Sequence, residues 1–440
     1  MIAPIPILLL LLVLHQSSTA SPALPPIVIV PGLASSQLDS KIVNGASYWP
    51  CTRNHPKPYR IWFTVKESVT GVLCLVENTR LVYDSVTNCT IQGRAGTTIT
   101  PHDWGGTDGI EALNPGGPKG FIFSLFADMV NVLVEKHGYV RGVSIRGAPN
   151  DFRLWGDACY SRNFLIRLQS LIEDTVHQNN GRPARVVCHS MGCPAVHKML
   201  VSMDAVWKKK YVAGLVALGS PFGGAPSAIY TLVTGKMAGL SIPIQRSVGT
   251  WSSIPALLPH DTSRLPMYKA KDVVLQTPQR NYTVSTMFQL VRDLSKTGFY
   301  YTNYPKANGG RARLPDGDKV YKYINEDIFQ QSDKHPGVEV DLAYVNDAPT
   351  ASQWIFTQPD LSDKGTAVHG FLGDGTVPVN SIEIPAKAWA AAGAERISLH
   401  PLSSQPVSAM KGMTSQHMGE CWHPDSIALV VGLVTGDKQR

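Results

Sequence analysis

The residues Cys188-His189-Ser190-Met191-Gly192 lie between the apolar run Ala184-Arg185-Val186-Val187 and the stretch Pro194 to Val206, so a serine falls where a short buried strand should turn into a helix. Such a turn holds one hydroxyl exposed at the top of a parallel sheet, where it can reach a base and where the next backbone N–H can bind an oxyanion. Gly192 fills the second glycine position of G-x-S-x-G, where a side chain would wedge helix and strand apart, but Cys188 replaces the first. The pentapeptide alone leaves two readings open, a nucleophile for acyl transfer and an ordinary turn serine.

A nucleophile on this kind of turn has its acid and then its base further along the chain. Asp374, in Gly373-Asp374-Gly375-Thr376-Val377-Pro378, is the candidate acid, placed where a carboxylate can leave a strand end and orient an imidazole; a surface Asp-Gly turn is the competing reading. Four histidines follow or flank it: His369, His400, His417 and His423. His369 precedes the acid and His400 ends the strand-like Arg396-Ile397-Ser398-Leu399, whereas His417 lies in a polar loop before a final apolar helix, the setting that favours it as the base. An early loop after the first buried strand should complete an oxyanion hole. Ile27-Val28-Ile29-Val30 followed by Pro31-Gly32-Leu33-Ala34 supplies one, which assigns the hole to the backbone amides of Leu33 and Met191.

The order of elements supports a covered parallel sheet. A helical stripe of Phe126, Met129, Val130 and Leu133 stops at Gly138, and a short strand, Val143 to Ile145, follows. A second stripe of Phe164, Leu168, Leu171, Ile172 and Thr175 leads to the Ser190 strand, and Val212 to Leu218 is the next buried strand. Residues of about 225–335 break the alternation and read as a cap, a natural way to build an apolar tunnel and exclude water. Val338 to Val345 resumes the sheet, with apolar Val338, Val340, Leu342 and Tyr344 alternating with Glu339, Asp341 and Ala343.

With 440 residues, 43% of them apolar, the chain can bury a large α/β core and is neither disordered nor fibrous. Its net charge of +7 is spread along the sequence, with Lys208-Lys209-Lys210 the one notable run, which leaves a weak preference for anionic lipid surfaces and nothing that suggests nucleic acid. The apolar Ile2 to Leu14 followed by Ser17-Ser18-Thr19-Ala20 reads as a secretory signal over residues 1–20, although it lacks a basic start. No segment reaches the roughly 20 apolar residues of a membrane span, so a soluble mature chain over 21–440 is expected. Asn88-Cys89-Thr90 and Asn281-Tyr282-Thr283 are glycosylation sequons that fit this route. Seven cysteines leave at least one unpaired; Cys188 and Cys193 read as small buried residues rather than metal ligands, and neither a metal nor a cofactor is expected.

Several motifs in fixed order resemble the lecithin:cholesterol acyltransferase family, and most closely its lysosomal phospholipase A and transacylase branch. They are Val30-Pro31-Gly32 with Ser36-Gln37-Leu38-Asp39, Tyr59-Arg60-Ile61-Trp62, Glu77 to Tyr83, Arg146 to Arg153, His189-Ser190-Met191-Gly192, Leu218 to Gly224, Gln276-Thr277-Pro278 with Asn281-Tyr282-Thr283, and Gly373 to Val377. The resemblance implies an α/β-hydrolase fold with a mostly parallel sheet, a cap domain and a small disulfide-closed subdomain that meets lipid. It implies Ser190 as nucleophile, Asp374 as acid, His417 as base, the hole at Leu33 and Met191, and a Cys51–Cys74 disulfide worth roughly 3 kcal/mol. Two departures stand out. Leu33 occupies a position that is acidic in the lysosomal branch, and the spacer between His400 and His417 is longer than in the family.

The inserted segment of about 45–80 carries Trp49, Trp62 and Phe63, aromatics that would suit the headgroup region if exposed and would pack on the main domain if not. The expected activity is transfer of a fatty acyl chain from a glycerophospholipid, through an acyl-enzyme, to a lipid alcohol or water, at a phospholipid membrane or lipoprotein-like surface in the secretory pathway, secreted or lysosomal. Alternatives are a neutral lipid lipase, a phospholipid:diacylglycerol acyltransferase and a non-catalytic lipid-binding protein.

Overall fold

The computed structural model describes residues 24–69, 71–84, 86–115, 123–237, 244–259, 266–297, 332–359, 361, 363–393, 395–405 and 416–436. The expected signal segment, residues 298–331 of the expected cap and residues 406–415 before His417 lie outside them.

Six strands form the central sheet: β1 (Ile27–Val30), β2 (Ile145–Gly147), β3 (Ala184–His189), β4 (Val212–Leu218), β5 (Val340–Val345) and β6 (Ile397–Leu402), in the spatial order β6-β5-β4-β3-β1-β2. Every neighbouring pair is parallel. Both faces are covered, so the strands are continuous apolar runs; all four residues of β1 are buried. In register, Val30 lies beside Cys188, His189 beside Leu218 and Leu218 beside Ala343. The carboxyl ends of β1, β3, β4 and β5 therefore share one level, the edge at which open α/β sheets place their sites.

Helices α1 (Ala127–His137) and α2 (Ala158–Gln178) bury the two predicted stripes, and Gly138 ends α1 at φ 71°, a left-handed cap that favours glycine. Asp157 opens α2 by accepting the Tyr160 N–H at 2.9 Å. The strand expected at Val143 to Ile145 forms instead at Ile145–Gly147. Ser144 and Ile145 both donate their N–H to the Val140 carbonyl, so the chain is still turning there, and Val143 is left exposed. Strand β5, expected to resume the covered sheet, is buried at all six residues, Asp341 included.

Leu38–Ile42 pairs with His55–Trp62 and Thr97–Pro101 in a small antiparallel sheet, and Cys51 is bonded to Cys74. Within this segment Trp49 is 90% exposed, but Trp62 and Phe63 are 1% and 5% exposed, which corrects their expected place on a lipid surface. The physical reason is the end of the His55–Trp62 strand, which runs into the main domain. There the Trp62 indole N–H donates to the Ala34 carbonyl at 3.0 Å, and its ring packs on Phe152 and Trp251.

A second disulfide, Cys89–Cys159, ties the hairpin Leu81–Asp84/Cys89–Gln92 to the start of α2. Cys188 and Cys193, read as small buried residues with their pairing open, are bonded across the Ser190 turn, and Cys421 is buried without a disulfide partner. Of the 225–335 segment, Val273–Gln276 and Asn281–Thr283 enter a four-stranded sheet with Gln353–Ile355 and Thr366–Val368, so residues beyond 335 contribute to the same layer. No helix among the described residues is long and apolar enough to cross a membrane.

Candidate active site

Between β3 and α3 (Gly192–Ser202) the chain reverses in one residue, and Ser190 takes φ 52° to do so. Its N–H donates to the Leu218 carbonyl of β4 at 2.9 Å, and its own carbonyl accepts the Cys193 N–H at 2.9 Å. Both neighbouring glycines are dictated by crowding. A Cβ at Gly192 would sit 2.6 Å from the Val30 and Pro31 carbonyl oxygens, and one at Gly32 would sit 2.6 Å from the Ser190 Cβ. The first loop is thus pressed against the serine, and no Cβ fits at either glycine unless the backbone moves.

The structure brings Ser190, His417 and Asp374 together. His417 Nε2 is 2.7 Å from Ser190 Oγ, and His417 Nδ1 is 2.6 Å from Asp374 Oδ2. The second oxygen of Asp374 accepts the N–H groups of Thr376 and Val377 at 2.8 and 2.7 Å, so the Asp-Gly turn is folded around its own carboxylate rather than facing solvent. All three side chains are buried. With Nδ1–H donating to the carboxylate, Nε2 carries the lone pair that can take the serine proton.

The other candidate bases lie elsewhere. His400 sits within β6 with Nε2 3.0 Å from Asp341 Oδ1, His423 accepts the Asp425 N–H at the start of the carboxyl-terminal helix Pro424–Thr435, and His369 is exposed.

Leu33 and Met191 flank Ser190 from the first loop and from the elbow. The first loop is pinned on two sides: Asn150 Nδ2 donates to the Pro31 carbonyl at 3.0 Å, and Trp62 holds Ala34. An apolar cavity of about 100 Å³ opens onto Ser190 and His417, lined by Leu33, Ala228, Met237, Ile254, Leu257 and Met418 among others. The sequence reading missed two buried side chains beside His417. His189 Nε2 donates to the His417 carbonyl at 2.9 Å; burial, with the charge of His417 added, pushes the His189 pKa down to about 3, so it works as a neutral donor. Glu420, one helical turn after His417, is fully buried, and its Oε1 accepts the Val345 N–H at 2.8 Å. No local motif announces either contact, since each joins residues far apart along the chain.

Asn88 and Asn281 of the two sequons are exposed, Asn88 in the turn of the disulfide-tied hairpin.

Fold and site geometry together define an α/β-hydrolase. The crystal structure of the Tle4-Tli4 complex contains a chain of similar fold, with a TM-score of 0.53 and 14% identity over 93% of this chain and 98% of that one. This chain belongs to the lecithin:cholesterol acyltransferase family, whose profile matches residues 59–419, a span that contains Ser190, Asp374 and His417. Among its relatives are the lysosomal phospholipase A and acyltransferase of Bos taurus, 27% identical over 93% of each chain, and the phosphatidylcholine-sterol acyltransferase of Homo sapiens, 27% identical over 86% of this chain and 79% of that one.

Proposed function

We propose that the chain is a serine-dependent phospholipid acyl hydrolase and acyltransferase in which Ser190 is the nucleophile, His417 the base and Asp374 the acid that orients it. The observation that carries the reading is the continuous contact from Asp374 Oδ2 through both nitrogens of His417 to Ser190 Oγ. His417 Nε2 takes the hydroxyl proton as Oγ attacks an ester carbonyl, and the N–H groups of Leu33 and Met191 receive the developing oxyanion. Each such donor is worth roughly 10²–10³ in turnover. Collapse breaks the ester bond, and the imidazolium returns its proton to the departing glycerol oxygen, leaving the acyl chain on Ser190. A lipid alcohol or water then gives its proton to His417 and attacks the acyl-serine; the acyl–Oγ bond breaks, His417 returns the proton to Ser190 Oγ, and an ester or a fatty acid is released.

The apolar cavity beside Ser190 suits a hydrocarbon chain, and the described part of the expected cap contributes Ala228, Met237, Ile254 and Leu257 to its lining. Trp49 is the aromatic of the disulfide-closed segment that is free to meet a phospholipid or lipoprotein-like surface. Entry to the secretory pathway, with glycans at Asn88 and Asn281 and release or lysosomal delivery, fits the family and the bonded cysteines. Product analysis with acyl-labelled phosphatidylcholine liposomes, with and without an added lipid alcohol, tests the reading. Labelled fatty acid alone, replaced in part by labelled ester when the alcohol is present, is the expected result; no release of label from phospholipid would overturn it.

A further inference from the structure

We propose that Glu420 is a reserve positioning acid for His417, able to take over the orienting role of Asp374 when that carboxylate is lost. The proposal rests on the triad reading above and concerns a group that reading does not use. Glu420 is 0% exposed, and its Oε2 makes no hydrogen bond among the described residues. A buried carboxyl oxygen left unsatisfied is destabilising, so its position calls for a reason beyond capping the Val345 N–H.

That position is beside the base. One carboxylate oxygen of Glu420 and one ring nitrogen each of His417 and His189 all lie within 4.8 Å of one another. Gly219, at φ 52° just after β4, makes the room: a Cβ there would overlap Glu420 Oε2 and come 3.0 Å from His417 Nδ1. The free oxygen of Glu420 and the Nδ1 edge of the imidazole therefore share one small space, with Asp374 as the other occupant of the Nδ1 contact. The Nε2 of His189 is already engaged, donating to the His417 carbonyl.

Burial first, and then the neighbouring Asp374 charge, hold the Glu420 carboxyl well above the usual carboxylate range, which favours its neutral form. Removing Asp374 removes that repulsion and leaves His417 Nδ1–H without its acceptor. Glu420 then accepts the Nδ1–H bond through a carboxyl oxygen by rotating its side chain, which keeps the imidazole in the tautomer that can take the Ser190 proton.

The test compares wild type, Ser190→Ala, Asp374→Ala and Asp374→Ala/Glu420→Gln on a short-chain soluble ester, with added formate as a diffusible carboxylate. A triad deprived of its orienting acid loses about 10⁴ in kcat. Asp374→Ala is expected to lose only about 10²-fold, with KM unchanged and no gain from formate, whereas the double variant falls the full about 10⁴-fold and is rescued by formate. A full loss in Asp374→Ala that formate restores would overturn the proposal, and this measurement stands even if the double variant does not fold. Activity remaining in Ser190→Ala would instead remove the triad reading itself.

Discussion

Trp62 and Trp49 belong to one short segment yet face opposite environments, and their substitutions separate a core residue from a surface one. Trp62→Ser removes the indole from its contacts with Ala34, Phe152 and Trp251, and a loss of about 3–5 kcal/mol in urea unfolding is expected, with soluble-ester hydrolysis falling in step with the folded fraction. Trp49→Ser should leave that unfolding midpoint in place and weaken liposome co-sedimentation by about 2 kcal/mol, from the apolar area it carries to the interface. A lowered midpoint with unchanged liposome binding would mean that Trp49 is structural after all. The sequence showed the aromatic cluster but not its division. Burial along His55–Trp62 does not alternate, and Trp62 is turned inward by its pairing with Leu38, a long-range contact. Ser190 was legible for the opposite reason: strand, turn and helix are contiguous there, and Gly192 marks the close approach. Asp374 and His417 follow Ser190 in the chain order that singles them out, and their side chains lie in contact with one another and with the serine, whereas only the fold brings Gly219 and His417 against Glu420.

Strand β5 carries a carboxylate into the middle of the sheet. Asp341 lies there between apolar neighbours, with β4 and β6 on either side and both faces covered. Asp341 is tolerated inside because Arg396 Nη1 donates to it at 2.8 Å, His400 Nε2 lies at 3.0 Å and Arg185 Nη1 at 3.6 Å. Asp341→Ala leaves these groups without their anion, and a stability loss of about 3 kcal/mol in urea unfolding is expected, with turnover per folded molecule unchanged. Equal stability with lost turnover would place Asp341 in the chemistry. The helical stripes of α1 and α2 were read correctly because local periodicity and a terminal Gly138 or Asp157 suffice for a helix, whereas strand pairing is decided by neighbours far along the chain.

Across the whole molecule, two fully buried histidines tie stability to pH. Burial is the main cause in both: His189 is pushed to about 3 and His197, stacked on Trp389, to about 4. Both folded values lie below the unfolded 6.5, so the unfolded chain binds more protons as pH falls beneath 6.5. Their contribution is intact above that pH and is lost on acidification, at up to about 1.4 kcal/mol per pH unit for each histidine. Glu420 acts in the other sense, favouring the folded chain at low pH and losing that contribution as pH rises towards its elevated folded value. His197→Gln, which retains a donor for the Lys334 carbonyl, should flatten the acid limb of a denaturant-unfolding series between pH 6.5 and 4, and an unchanged slope would contradict the assignment. The central claim, that Ser190 is activated by His417, is tested most directly by peptide mapping after a fluorophosphonate probe. Label is expected on the Ser190 peptide of wild type, His400→Ala and His423→Ala, and at a rate roughly 10³-fold lower in His417→Ala. Equal labelling in His417→Ala, or label on another serine, would contradict it.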